Sequence, residues 1–304
     1  MDLLGTLVLM LQTPLMQRAL LVALLVGVAA PVMGTYLVQR RLALLGDGIG
    51  HVALTGVAVG WLAGSIAGLT PVDVLAVPGA IVAAIIGAVL IEVVRARGKT
   101  SGDLALALLF YGGIAGGVLI IGIAGGTTAN LNGYLFGSIS TVSTTDVWLT
   151  VGLAVLILGA GIGLRPALFA LSHDEEYAVA SGLPVRGLNI LVAVMAALTV
   201  SVSMRVVGVL LVSAVMIVPV AISQLFARSF RATMTIAMVV GAVVSVAGLT
   251  LTYFLPLSPG ATIVVLAVAC YAVASILRPL LVRPDRALDP HLDVEDDVEV
   301  GEVV

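Results

Sequence analysis

An acid and an imidazole stand four residues apart in Leu44-Leu45-Gly46-Asp47-Gly48-Ile49-Gly50-His51. Residues i and i+4 share one face of a helix, so a carboxylate oxygen of Asp47 and a ring nitrogen of His51 can converge on one divalent cation. Two ligands alone make a weak site. A symmetric dimer would bring a second Asp47 and His51 to its axis and complete a four-ligand N/O set suited to Zn²⁺ or Mn²⁺. No cysteine lies nearby and Met33 is isolated, which argues against a soft site for Cu(I). Two other uses are open for the same side chains: a proton relay of the kind found in pumps, or plain capping and cross-linking of helices.

The elements that must position this pair are apolar. The 304 residues are 61% hydrophobic and only 10% charged, with a mean hydropathy of +1.22, a composition that excludes a soluble domain. Apolar runs near 14–38, 42–68, 76–94, 104–124, 147–164, 187–204, 206–227, 232–254 and 261–281 predict an all-α, multi-pass membrane protein with eight or nine transmembrane segments. Each ionisable group in such a helix costs about 2.5–3.5 kcal/mol on insertion scales, so Asp47 and His51 are expected to have a use. The first run lacks the basic start and cleavage site of a signal peptide and is expected to stay in the mature chain. The lone Cys270 offers neither an internal disulfide nor a CxxC motif, so redox chemistry is not expected.

Twelve of the 14 Lys and Arg residues fall on alternate ends of these runs, Arg18 and Arg205 excepted. By the positive-inside rule that side is the cytoplasm, which puts the N-terminus outside and the C-terminus inside a plasma (inner) membrane. The net charge of −3 comes largely from eight acids after Pro284, and no basic patch suggests nucleic acid. Residues 1–283 are expected to form the transmembrane domain, and 284–304, with His291, an acidic disordered cytoplasmic tail. Arg205 divides 187–227 into either two spans or two half-helices that enter and return. Gly56, Gly60, Gly64 and Gly68 form a stripe at fourfold spacing that would let a second helix approach closely, and Gly112, Gly113, Gly116 and Gly117 repeat the device. Gly98-Lys99-Thr100 resembles the end of a phosphate loop, but Val93 stands where that loop needs glycine, and no nucleophile triad or HExxH motif is present. The chain is therefore expected not to be an enzyme, and to hold no permanent cofactor.

Three segments in order carry a resemblance: Arg40 to His51, Asp174-Glu175-Glu176-Tyr177-Ala178-Val179-Ala180-Ser181-Gly182-Leu183-Pro184, and Arg205 to Ala214. They resemble the permease subunits of zinc/manganese ABC importers. The resemblance implies a homodimeric helical permease, energised by two copies of a separate cytoplasmic ATPase and loaded from outside by a metal-binding solute-receptor protein. Asp47 and His51 would then be ligands of the transported zinc, manganese or iron. Where that family often has Ala-Leu-Ser, this chain has Gly48-Ile49-Gly50, and two glycines are expected to loosen the helix between the ligands. The alternative is a proton-coupled secondary transporter using the same Asp47 and His51, with no ATPase.

Residues 172–186 fit a cytoplasmic coupling helix ended by Gly182 and Pro184. Its acids, Asp174, Glu175 and Glu176, either favour the helix dipole or dock with Tyr177, Ala180, Ser181 and Gly182 into an ATPase groove. Glu92 is expected to snorkel to the interface or to pair with Arg95 at the membrane end, and the polar stretch from Asn130 and Asn132 through Tyr134 to Asp146 is expected to be a solvated outer loop or a contact for a receptor protein.

Overall fold

Pro14 stands where a helix can begin, because its missing N–H would be unsatisfied there anyway. It separates α1 (Leu3–Gln12) from α2 (Pro14–Gln39). Then follow α3 (Leu45–Ile66), a 3-10 turn (Val72–Leu75), α4 (Ala76–Ala96), α5 (Gly102–Ile123), α6 (Thr128–Phe136), α7 (Thr144–Gly163), α8 (Arg165–His173) and α9 (Glu175–Ala180). The chain continues through α10 (Val185–Ser203), α11 (Val212–Gln224), α12 (Phe230–Phe254) and α13 (Pro259–Leu281). This computed structural model describes residues 3–96, 102–125, 128–139, 142–204 and 206–281. The tail 284–304, the Gly98-Lys99-Thr100 tripeptide and Arg205 lie outside them.

Among the described residues, eight helices are long and apolar enough to cross a membrane: α2, α3, α4 with its leading turn, α5, α7, α10, α12 and α13. The stretch 187–227 is neither two full spans nor two half-helices. It is one full helix, α10, then a break, then α11, whose 13 residues reach about 20 Å, short of the roughly 30 Å of hydrocarbon. The break is held by α6: Val209 N–H donates to the Tyr134 carbonyl at 2.9 Å and Leu210 N–H to that of Leu135 at 3.2 Å. Non-helical backbone at this depth is stable only with such internal partners.

Close helix contacts are built on glycine. Gly27 of α2 meets Gly241 of α12, and Gly34 meets the Met216 carbonyl of α11. Along α3, Gly56 meets Gly79, Gly60 meets Leu75 and Gly64 meets Val72, so a Cβ at any of the three would overlap the α4 side. Gly68 does not belong to this stripe. It lies past the end of α3 with φ +64° and nothing near it, and the Leu69 N–H returns to the Gly64 carbonyl, so Gly68 terminates the helix in the left-handed conformation that glycine adopts without strain.

Two further expectations change. The polar stretch 130–146 is not simply a loop, because it holds α6 and the first turn of α7, which starts with a reciprocal cap between Ser143 and Asp146. Residues 172–186 are not one helix. His173 ends α8, where it stacks on Phe169, and Asp174 begins α9 by accepting the Tyr177 N–H at 2.9 Å. An aspartate that can cap a new helix wins over continuation of the old one.

Polar side chains collect at the two ends of the bundle. Arg40, Glu92, Arg95, Glu175 and Asn189 share one end. At the opposite end of α3, Trp61 packs on Tyr134, whose hydroxyl reaches Asp73 at 3.3 Å. Glu92 pairs with Arg95 at 3.2 Å, as its spacing suggested.

Candidate metal site

Asp47 occupies the first turn of α3, where free backbone N–H groups and the helix dipole favour a carboxylate. Its Oδ1 accepts the Ser213 hydroxyl at 2.9 Å. Ser213 can reach it because α11 begins at Val212, beside the first turn of α3, and that start follows from the break after α10. Gly46 sits against Ser213 and Met216, which brings the two helices together at this point. One carboxylate oxygen is thus held by protein, and the side chain borders a cavity of about 230 Å³ lined by Leu44, Asp47, Gly48, Leu106, Phe110 and Tyr111.

One turn along α3, His51 is 2% exposed. Its ring meets Phe110 edge-on with centroids 4.1 Å apart. Its Nδ1 is buried and has no hydrogen-bond partner. An orphaned buried ring nitrogen costs on the order of 1–3 kcal/mol, so a native helix that keeps one has a reason to. Phe110 borders both side chains, forming a wall of the cavity beside Asp47 and covering the imidazole of His51.

α5 comes this close because Gly113 lacks a side chain, and a Cβ there would overlap the His51 backbone. Thr55 fixes the contact by donating to the Gly113 carbonyl at 2.7 Å. Gly117 repeats it against Leu54, whereas Gly112 faces open space. Gly48 and Gly50 do not loosen α3, which runs unbroken through them. They admit Leu106 from one side and the Val209 carbonyl from the other.

Among the described residues, no group of three or more His, Cys, Asp and Glu side chains is placed to hold a metal ion. One chain brings Asp47 and His51 to adjacent turns of α3, and a carboxylate and an imidazole are the hard-to-borderline donor types that suit manganese or zinc.

The other segment singled out in the sequence, 174–182, is exposed except for Ala178. Tyr177 is 63% exposed on its surface. Glu175 and Glu176 lie in the first turn of α9, and Gly182 closes it with φ +76°. Three participants had no role assigned to them in the sequence, although Ser213 lies in the Arg205 to Ala214 segment. Ser213 and Phe110 each lie inside apolar runs, and Asn189 sits near the start of one, in contact with Arg40 and Glu175.

Residues 12–278 match the ABC 3 transport family. The manganese transport system membrane protein MntC of Halalkalibacterium halodurans is 30% identical over 264 residues, 87% of each chain. The manganese import system permease protein ScaB of Streptococcus parasanguinis is 30% identical over 276 residues, 91% of this chain and 95% of that one. The solved structure of PsaBC from Streptococcus pneumoniae in complex with Fab matches with a TM-score of 0.79 at 29% identity, covering 90% of this chain and 95% of that one.

Proposed function

This chain belongs to the ABC 3 transport family, and from that premise we propose that it is the membrane-spanning permease of an importer for a divalent transition metal. Manganese is the first candidate, since the relatives MntC and ScaB are named for manganese. Zinc and iron follow, because the Asp47 and His51 ligand types suit all three. The chain works in the plasma membrane with a separate cytoplasmic ATPase and an outer metal-binding receptor protein, and it alternates between outward and inward opening.

The observation that carries the site is the buried, unpartnered Nδ1 of His51 one helical turn from a carboxylate with one oxygen already held. The transported ion enters beside Asp47, whose Ser213 bond orients the carboxylate, and His51 completes its capture. Phe110 excludes water and strengthens the charge–ligand interaction. Because one chain offers two strong ligands, a second copy supplies the other Asp47 and His51 at a shared axis. The end that gathers Arg40 and Arg95 faces the cytoplasm, which makes α9 the surface that docks the ATPase.

Uptake of radioactive manganese and zinc into vesicles that hold the permease, its ATPase and its receptor protein tests this function. ATP inside the vesicles should drive import of one metal. Import driven by a proton gradient without ATP would replace this reading with a secondary transporter.

A further inference from the structure

Arg40 ends α2 five residues before α3 begins, and its side chain is 6% exposed. A buried guanidinium needs partners, and it has two. It donates to Oδ1 of Asn189 at 2.7 Å and pairs with Glu175 at 3.7 Å. Asn189 in turn donates from its amide nitrogen to the other oxygen of Glu175 at 3.1 Å. The three side chains close a ring that joins the end of α2, the start of α10 and the first turn of α9.

Glu175 is the only member at the surface, with its side chain 52% exposed. On the other side of Arg40 the chain makes a hydrogen-bonded turn. Arg41 takes φ +57°, Arg41 N–H returns to the Val38 carbonyl and Leu42 N–H to that of Leu37. This tight helix stop hands the chain directly to α3 and Asp47. The ring and this short hydrogen-bonded turn connect α9 to the start of the helix that carries Asp47.

We propose that Arg40, Asn189 and Glu175 are positioning residues that couple movement of α9 to the start of α3. The coupling rests on the reading of α9 as the ATPase-docking element. It assigns Glu175 an inward role in the permease, transmitting force to the metal helix, in addition to whatever its helix face presents outward.

The test uses the assembled permease and ATPase in nanodiscs, with spin labels on Leu44→Cys and Val239→Cys in a Cys270→Ser background. Both labelled positions are exposed, one beside α3 and one on α12. The distance between labels should change when ATP binds. That change should be lost in Arg40→Gln, which lies off α9, while the ATPase still co-purifies and hydrolyses ATP, and it should be lost in Glu175→Gln as well. Glu175 is exposed enough for its substitution to spare folding. The exchanged pair, Arg40→Glu with Glu175→Arg, should restore the change, since the Asn189 amide can flip to serve either arrangement. Metal imported per ATP should fall about tenfold in the single variants, within the range of allosteric couplings. A change that persists in both single variants, or is absent in the unaltered complex, overturns the relay. If the unaltered complex imports no metal but the label distance obeys the ring, the relay stands and the transport reading falls.

Discussion

Ser213 donates its hydroxyl hydrogen to Oδ1 of Asp47 at 2.9 Å, joining residues 166 positions apart. The bond exists because α11 starts beside the first turn of α3. It holds one oxygen of the carboxylate, and in the proposed site the other would meet the ion. Bonds of this kind orient a ligand and set its basicity, and losing one typically costs about 10–100-fold in metal affinity. Ser213→Ala should therefore weaken manganese binding by that factor while the permease still assembles with its ATPase. Isothermal titration on the purified complex checks it, and affinity equal to the parent's would mean that Ser213 does not position Asp47.

Phe110 fills the space between the cavity and His51. Phe110→Ala would admit water to the imidazole and remove an edge-on ring contact worth about 0.5–1.5 kcal/mol. The expected outcome is weaker metal retention with an unchanged response to manganese over calcium, because the ligand types are intact. A competition assay with both ions reads it out, and a switch in ion preference would contradict it.

Glycine positions should separate sharply. Gly60→Ala drives a Cβ into the Leu75 backbone, and Gly113→Ala drives one into the backbone of His51. Overpacking against backbone that cannot yield costs about 1–3 kcal/mol. Gly112→Ala, one residue from Gly113 but facing open space, should be neutral or stabilising by up to about 1 kcal/mol from helix propensity. Thermal unfolding in detergent distinguishes them. Equal melting temperatures for Gly112→Ala and Gly113→Ala would contradict the α3–α5 contact.

Arg41 holds φ +57° without being glycine, a strain of about 1–2 kcal/mol. Arg41→Gly should raise the melting temperature slightly, since the turn keeps its two backbone hydrogen bonds and loses the strain. A fall would mean that the Arg41 side chain contributes more to stability than its backbone costs.

Much of this was legible in the residues themselves. Apolar runs of span length mark α2 through α5, α7, α10, α12 and α13. The i,i+4 pair of Asp47 and His51 stands out because ionisable groups are scarce in hydrocarbon, and Gly182 correctly marks the end of α9. Other features were hidden for physical reasons. Arg205 marked an interruption in 187–227, but a hydropathy window registers 206–227 as one apolar run whether or not its backbone is helical, so the late start of α11 that places Ser213 beside Asp47 left no trace. Gly68 matched the spacing of Gly56 to Gly64, yet spacing cannot tell a packing glycine from one that ends a helix. Asn189 and Ser213 take their importance from partners 149 and 166 residues away, and short-range pattern does not carry such distances.

The most direct test of the metal site is equilibrium binding of radioactive manganese to the purified permease–ATPase complex, comparing the unaltered chain with Asp47→Asn and His51→Gln. The site described here requires saturable binding of one ion per two permease chains, lost in both variants while assembly and ATP hydrolysis persist. Saturable binding of unchanged affinity and stoichiometry in both variants would contradict it and place the ion elsewhere in the bundle.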